Sequence, residues 1–405
     1  MAPRAAALFH RHVWQRIPRP WRRSLLFQAT ALAALRPMPG AKASAPIIVV
    51  GALRTASGLG QSARLCHDAL KNSGLPVYGV DLTRLLRQVE DVPDFAFADG
   101  TGLTGAGTVI LHVNSPTVPL AMWRLGRRLI AGKRIVGCWA WELPDVPADW
   151  RHGIGFVHEI WVPSEFTAAA IRPIAGGRAV AIIPYSVALR PMSKLRAPKA
   201  GGVFTVITIF NMASSFARKN PCAAIRAFRL AFSDDPGIRL IVKTANVLTY
   251  PAGLAAIRDA IGSAANITVM DETLSSAELE NLLVGSDALI SLHRSEGFGL
   301  TLAEAMLGGV PVVATGWSGN ADFLSAETGM PVPYQLVPAV DPQGSYHHPD
   351  MVWAEADVAA AAVALRQLRD DPVLRARLTA TAASFAGIAW SEQHYVQTVR
   401  QQLGL

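Results

Sequence analysis

"HRSEGFGLTLAEAMLGG", residues 293–309, sets two glutamates eight positions apart, Glu296 and Glu304, around a Gly-Phe-Gly turn. The apolar run leading into it, "DALISLH" (287–293), reads as a buried strand, and the residues from Leu300 onward read as a helix. In a parallel sheet, ligands sit at the carboxyl ends of the strands, where such turns lie. A helix start offers unpaired N–H groups and a positive dipole end, which suit a phosphate. Gly297 and Gly299 let backbone approach a ligand closely. Carboxylates accept hydrogen bonds from paired hydroxyls, as on a sugar ring or a ribose. Glu296 before the turn and Glu304 one turn into the helix therefore suit a ligand with hydroxyls at both ends and phosphates between them, a nucleotide sugar. The plainer reading is one solvated glutamate at a turn and another on an exposed helix face.

The chain around this stretch alternates between two patterns. "APIIVVGAL" (45–53), "PVYGVDL" (76–82), "GTVILHVN" (107–114), "RIVGCWAW" (134–141) and "HEIWVPS" (158–164) are short apolar, β-branched runs. Such runs suit strands of a parallel sheet covered on both faces. "GQSARLCHDALKNSG" (60–74) between the first two reads as a helix. "IPYSVALRPMSKLRAPKAGG" (183–202) then breaks the pattern with prolines, glycines and basic residues. The alternation restarts with "VFTVITIF" (203–210), "IRLIVKT" (238–244), "ITVMDE" (267–272) and "VPVVAT" (310–315). "NPCAAIRAFRLAF" (220–232) and the serine-capped "SSAELENLLVG" (275–285) are the helices among them. The expected architecture is α/β, with two doubly wound Rossmann-like domains facing each other across a cleft. The expected boundaries are a basic arm at 1–44, a first domain at 45–190 and a linker at 191–202. A second domain at 203–385 and a C-terminal helix at 386–405, returning to the first domain, complete the chain.

Bulk composition narrows the function classes. The chain has 405 residues, 51% hydrophobic and 17% charged, which suits packed cores rather than disorder. Its net charge is +8, and residues 1–44 hold eight basic residues and no acid, so the remainder is formally neutral. A nucleic-acid protein more often spreads basic residues over a folded groove. A basic arm with Trp14, Trp21 and Phe27 instead suits an anionic membrane surface, unless it is a disordered or cleaved leader. "SLLFQATALAAL" (24–35) has the length of a signal-peptide core, but the arginine-rich region before it argues against export. No apolar run reaches the roughly 18 residues of a membrane-spanning helix. Three widely spaced cysteines, Cys66, Cys138 and Cys222, fit reduced buried thiols rather than a disulfide framework or a metal site. The expected location is cytoplasmic, with the arm against the inner face of the cell membrane.

"EGFGLTLAE" resembles the glutamate–seven–glutamate signature of retaining glycosyltransferases of family 4, which have the two-domain GT-B fold. The resemblance runs over roughly residues 46–400. It includes the glycine loop after the first strand, "WVPSEF" (161–166), "RKNPCAAIRAF" (218–228) and "GGVPVVAT" (308–315), in that order. It implies transfer of a sugar from a nucleotide-diphosphate donor, with GDP-mannose ahead of UDP-sugars as a family-level expectation. The expected acceptor is a glycan or lipid-linked sugar of cell-surface polysaccharide synthesis; the basic N-terminus suggests one held at the cytoplasmic membrane face, such as a polyprenyl-diphosphate oligosaccharide or a lipopolysaccharide precursor. No metal and no separate cofactor are implied.

Residue by residue, Glu296 would contact donor-sugar hydroxyls and Glu304 the ribose, with backbone contacts from Gly297, Phe298, Gly299 and Leu300. Lys219 matches the family's phosphate-binding lysine. The family's usual arginine before it is missing from "NMASS" (211–215), so either Arg218 or Arg294 takes its place. "TASGLGQSAR" (55–64) resembles the glycine loop, with Gly58 and Gly60 close to donor and acceptor. Glu142 in "WAWELPDVP" (139–147) stands where many members carry an active-site His or Asp. Trp139 and Trp141 either offer flat faces to a sugar or belong to the core. His112 and Asn114 reach the acceptor or are structural. Asn320 and Asp322 in "GWSGNADF" (316–323) are candidates to read the sugar.

Two other classes compete. Gly58, Gly60 and Ala63, with Asp81 about twenty residues on, partly fit a dinucleotide fingerprint and so an oxidoreductase. "GALRTAS" intervenes between strand and glycines, which counts against it. A non-catalytic glycan-binding protein is the other, against which Glu296, Glu304 and Lys219 speak.

Overall fold

The computed structural model describes residues 19–187 and 202–405. The expected linker at 191–202 falls almost wholly outside them, and so do the first 18 residues of the expected arm.

Two parallel six-stranded sheets organise the chain. In the first, β1 (Ile47–Gly51) and β3 (Gly107–His112) form the centre, with β2 (Val77–Asp81) on one side. On the other side β4 (Lys133–Cys138), β5 (Glu159–Val162) and β6 (Val180–Ile182) follow in order. β1 and β3 are buried at every position, as strands covered by helices on both faces must be. The second sheet begins with β7 (Phe204–Ile209), β8 (Ile238–Lys243), β9 (Ile267–Met270), β10 (Ala288–Ser291), β11 (Val312–Thr315) and β12 (Met330–Val332). Its spatial order is β12-β11-β10-β7-β8-β9, so the chain reverses direction across the sheet between β7 and β10. That reversal places the turns after β7 and β10 side by side, the position at which open α/β sheets hold ligands.

The helix Gly58–Asn72 crosses from β1 to β2, capped by Ser57, whose hydroxyl accepts from the Gly60 amide. A side chain at Gly60 would place Cβ 2.5 Å from the Thr55 carbonyl oxygen, so only glycine lets the helix start sit on its own loop. The C-terminal helix Glu392–Leu403 lies against this helix, burying Tyr395, Val396, Val399 and Leu403 beside Cys66, Ala69 and Leu70. Asn72 Nδ2 donates to Glu392 Oε1 at 3.1 Å, and Gln402 Nε2 to Glu159 Oε2 at 2.9 Å. The chain therefore ends on the half where it began. The cysteines are free, and burial pushes the Cys66 thiol up to about 12, which keeps it unreactive.

Two features depart from the expected organisation. From residue 19 the N-terminal segment is a helix, Arg19–Ala33, packed on the first half with Phe27 and Thr30 buried. Ala34 joins the core of that half, and the Ser44 amide donates to Thr108 Oγ1 at 3.0 Å. Among the described residues no helix is long and apolar enough to cross a membrane.

The second departure is an antiparallel hairpin, β13 (Tyr334–Ala339) with β14 (His348–Ala356), in a stretch with no clear strand signal. Pro338, a register slip beside it and the turn residues Asp341, Pro342 and Gly344 mask the alternation. Its inward residues Ala339 and Trp353 complete the core of the first half, although the chain around them belongs to the second. Trp353 is 2% exposed. Trp353→Ala is expected to cost about 3–5 kcal/mol through the cavity it leaves, read from chemical denaturation; Trp353→Phe costs less.

Candidate active site

Glu296 follows β10 by five residues, on the turn whose Gly299 has φ of 99° and caps the helix Leu300–Leu307. A side chain rarely adopts that backbone conformation, so glycine is required where the strand turns into the helix. The Glu296 amide donates to Ser318 Oγ at 2.8 Å, which fixes the backbone and aims the side chain inward. Lys219 Nζ donates to Glu296 Oε1, and Arg218 Nη1 lies 3.2 Å from Oε2. The side chains of Glu296 and Arg218 are 10% and 5% exposed. Burial alone pushes the Glu296 carboxyl upward. The ammonium of Lys219 and the guanidinium of Arg218 outweigh it and hold the carboxyl at about 2. Glu296 is thus ionised at neutral pH, and the stability it contributes is lost only as pH falls from the ordinary carboxylate range through about 2.

The two cations sit on the short helix Phe216–Lys219 after β7. Left-handed residues flank it, Ser215 at φ 64° and Asn220 at φ 47°, a backbone strain of the kind that gathers at functional sites. Ser215 Oγ accepts from the Arg218 amide, and Arg218 Nη1 and Nη2 donate to the carbonyls of Ser295 and Ser214 at 2.7 and 3.1 Å. These bonds compensate part of the cost of burying the guanidinium, and Glu296 supplies the counter-charge.

From the first half, Glu142 follows β4 and accepts from the Tyr346 hydroxyl at 2.7 Å. Tyr346 comes from the hairpin connection and lies under Arg218, whose Cζ is 5.1 Å from the ring centroid. Glu304, one turn into its helix, accepts from Gln61 Nε2 at 2.6 Å, a residue of the glycine-loop helix. Burial pushes the Glu304 carboxyl up to about 7, against the opposing effect of the hydrogen bond from Gln61. Glu296, Lys219, Arg218, Glu142 and Glu304 therefore line one boundary between the halves.

The glycine turn itself is in contact with protein. A side chain at Gly297 would place Cβ 3.2 Å from the Trp141 carbonyl oxygen. Its carbonyl accepts from Ser164 Oγ at 2.6 Å and Thr167 Oγ1 at 3.3 Å, at the start of the helix Glu165–Ile171. Phe298 anchors the turn between Tyr185, Phe323 and Trp390. Leu300 is the first residue of its helix. In the glycine loop, Gly58 faces open space while Gly60 meets its own backbone.

Several expected site residues are committed elsewhere. Arg294 gives Nε and Nη2 to Glu355 Oε2, both at 2.6 Å, and Nη1 to the Ala217 carbonyl, so it fastens the hairpin and is not the cation at Glu296. Asn320 is fully buried, with Oδ1 2.8 Å from His293 Nε2 and Nδ2 donating to the Thr315 carbonyl, so it is placed to hold the loop rather than a sugar. Asp322 Oδ2 accepts from the Glu165 amide at 2.8 Å. Trp139 and Trp141 are core, 1% and 7% exposed and packed on Trp150. Asn114 Oδ1 accepts from the Ala140 amide, and buried His112 has Nδ1 3.0 Å from Ser62 Oγ. Burial pushes the His112 imidazole down to about 3, so it is neutral. Asp81 Oδ1 accepts from the amides of Leu53 and Thr83 and from the Thr83 hydroxyl. It holds the loop after β1 and is not placed as a ribose ligand, which removes the support for a dinucleotide enzyme.

Residues 164–393 match the family model described as family 4 glycosyltransferase in conflict systems. The chain belongs to the family 4 glycosyltransferases. The fold of this glycosyltransferase is that of GT-B enzymes. Anabaena Alr3699/HepE, solved with UDP and glucose, superposes at a TM-score of 0.60 and 14% identity over 88% of this chain and 99% of its own. S. aureus TarM, as a point mutant with fondaparinux, alpha-GlcNAc-glycerol and UDP, gives 0.55 and 15% over 74% of this chain. The pneumococcal O-GlcNAc transferase GtfA, with UDP and GlcNAc, gives 0.53 and 15% over 75%. The matches cover 55% of TarM and 57% of GtfA, little more than half of those longer proteins. No curated protein matches the chain in sequence.

Tyr346 and Gln61 are the site residues that sequence reasoning missed. Gln61 lay inside the glycine-loop motif and was legible there; Tyr346 carried no signal. The raised Glu304 carboxyl gives a pH prediction. Folding favours its protonated form, so stability falls as pH rises from the ordinary carboxylate range through about 7. Glu304→Gln removes that loss, and its melting temperature should exceed wild type by about 3 °C at pH 8 but not at pH 5, by scanning fluorimetry.

Proposed function

We propose that this glycosyltransferase is a retaining hexosyltransferase that takes its sugar from a nucleoside diphosphate donor and passes it to a glycan hydroxyl. The observation that carries the reading is the buried Glu296 carboxylate held between Arg218 and Lys219 at the start of the helix Leu300–Leu307. A leaving diphosphate gains negative charge as the glycosidic bond breaks. A fixed guanidinium, an ammonium and a helix N-terminus are the groups that stabilise such charge. In this reading Lys219 exchanges Glu296 for the β-phosphate when donor binds, and the freed carboxylate accepts from sugar hydroxyls. Glu304 takes the ribose hydroxyls in place of Gln61, and Glu142 faces the acceptor. The acceptor oxygen bonds to the anomeric carbon on the face the diphosphate leaves, and its proton passes to the departing phosphate oxygen. These side chains meet the diphosphate charge without a metal ion in the scheme.

The three related structures were solved with UDP, so UDP-sugars move ahead of GDP-mannose as donors to try first. Isothermal titration with a panel of UDP- and GDP-sugars, followed by turnover with the donor that binds, tests the reading. Lys219→Ala should lower turnover about 100- to 1000-fold, and Glu296→Gln comparably, with both proteins folded. Equal turnover by Lys219→Ala and wild type would remove the assignment.

We further propose that the acceptor is lipid-linked, a polyprenyl-diphosphate glycan at the cytoplasmic membrane face. What supports this is the basic and aromatic segment with Arg4, Arg11, Trp14 and Arg16, and its lack of acids. Removal of residues 1–18, which leaves the packed helix from Arg19 intact, should weaken sedimentation with anionic liposomes, more at low salt than at high. Unchanged sedimentation at low salt would rule the membrane contact out.

A further inference from the structure

The charges around the cationic pair pose a problem that the hairpin answers. Arg218 and Lys219 carry two positive charges, and Glu296 and Glu142 two negative ones, so these four side chains balance. A diphosphate needs an excess of positive charge. In the donor reading Glu296 turns to the sugar, and Glu142 is then the carboxylate left to compete with phosphate for the two cations. Glu142 is close enough to both for its charge to favour their protonated forms.

Tyr346 intercepts it. The residue rides on the hairpin connection, which is tied to the backbone just ahead of the cations. Gln343 accepts from the Phe216 amide at 2.5 Å and donates to the Met212 carbonyl at 2.8 Å. Asp341, 1% exposed, accepts from the amides of Gln343 and Tyr346 at 3.1 and 3.0 Å. Arg294 with Glu355 fastens the other end of the hairpin. Tyr346 is therefore rigid with respect to Arg218 and Lys219, whereas Glu142 belongs to the opposite half. Its ring lies against Arg218 and Trp141, and its hydroxyl reaches Glu142.

We infer that Tyr346 is a positioning residue that keeps the Glu142 carboxylate off Arg218 and Lys219, and so leaves both cations free for the donor diphosphate. The inference rests on the donor reading above. A phenolic hydroxyl is suited to the task because it adds no charge beside the phosphate. Burial pushes it far above its ordinary range, with the nearby Glu142 carboxylate adding to the effect, so it remains a donor at all working pH. The ring is also the floor on which the guanidinium rests, so removing the hydroxyl and removing the ring are separable changes.

The test is titration of UDP and GDP into four folded proteins, wild type, Tyr346→Phe, Glu142→Gln and the double variant. Tyr346→Phe keeps the ring and frees Glu142, and should raise the nucleotide Kd about tenfold, the scale of a lost hydrogen bond to a charged group. With Glu142→Gln present there is no carboxylate to restrain, so the double variant should bind within about twofold of Glu142→Gln alone. A residue with only a packing role would not be rescued in this way. Tyr346→Phe binding as tightly as wild type would overturn the inference, and so would a double variant that stays as weak as Tyr346→Phe. A wild type that binds neither nucleotide would instead overturn the donor reading on which the inference rests.

Discussion

One ion triple sets the terms for the rest of the molecule: Glu296 between Arg218 and Lys219, buried where two turns meet. Taking three charges out of water is costly unless each finds its counter-charge and its remaining donors find acceptors. The protein meets most of that condition with backbone, although Arg218 Nε stays buried without an acceptor among the described residues. Carbonyls from residues 214 and 295 take the guanidinium, the Ser318 hydroxyl takes the Glu296 amide, and the Arg294 amide donates to the Arg218 carbonyl at 2.7 Å. The turns after β7, β10 and β11 are thereby locked to one another. The cluster is thus buried and held in place from several sides, the kind of arrangement in which electrostatic interactions are strong because the groups need not reorganise.

The same demand for fixed geometry explains the hairpin. A second sheet alone would leave the Phe216–Lys219 turn free on its outer side. The hairpin covers that side through Gln343 and Glu355, while Ala339 and Trp353 pass over into the core of the other half. The two halves are joined by more than chain connectivity. Ser164 with Gly297, Gln61 with Glu304, Tyr346 with Glu142 and the C-terminal helix all cross the boundary. Three of these contacts, those of Gly297, Glu304 and Glu142, involve residues in or beside the site, so the packing of the halves and the arrangement of the site depend on each other.

Much of the fold was legible in the chain because parallel sheets buried on both faces write themselves as short apolar runs. β1 to β5 and β7 to β11 appear there within a few residues of their observed ends. β6 and β12, three residues each, are too short to stand out, and the hairpin's alternation is interrupted by Pro338 and the slip beside it. The N-terminal segment misled through its charge. Eight basic residues dominate any local reading, whereas the burial of Phe27, Thr30 and Ala34 depends on a surface formed by residues a hundred positions away.

By itself the sequence determined the two alternating halves, the glycine-capped turn, and the presence of two glutamates and a lysine in or near such turns. Those features depend on local periodicity and on conformations that only certain residues adopt. Only the tertiary structure decided which arginine joins Glu296. Arg218 and Arg294 both lie within two residues of a motif residue in the chain, but Glu355, sixty-one residues beyond Arg294, takes the latter away. It also decided that Asn320, Trp139 and Trp141 are structural and that Tyr346 faces the cations. Pairings at such separations are selected by packing and charge balance across the whole fold, and no local pattern records them.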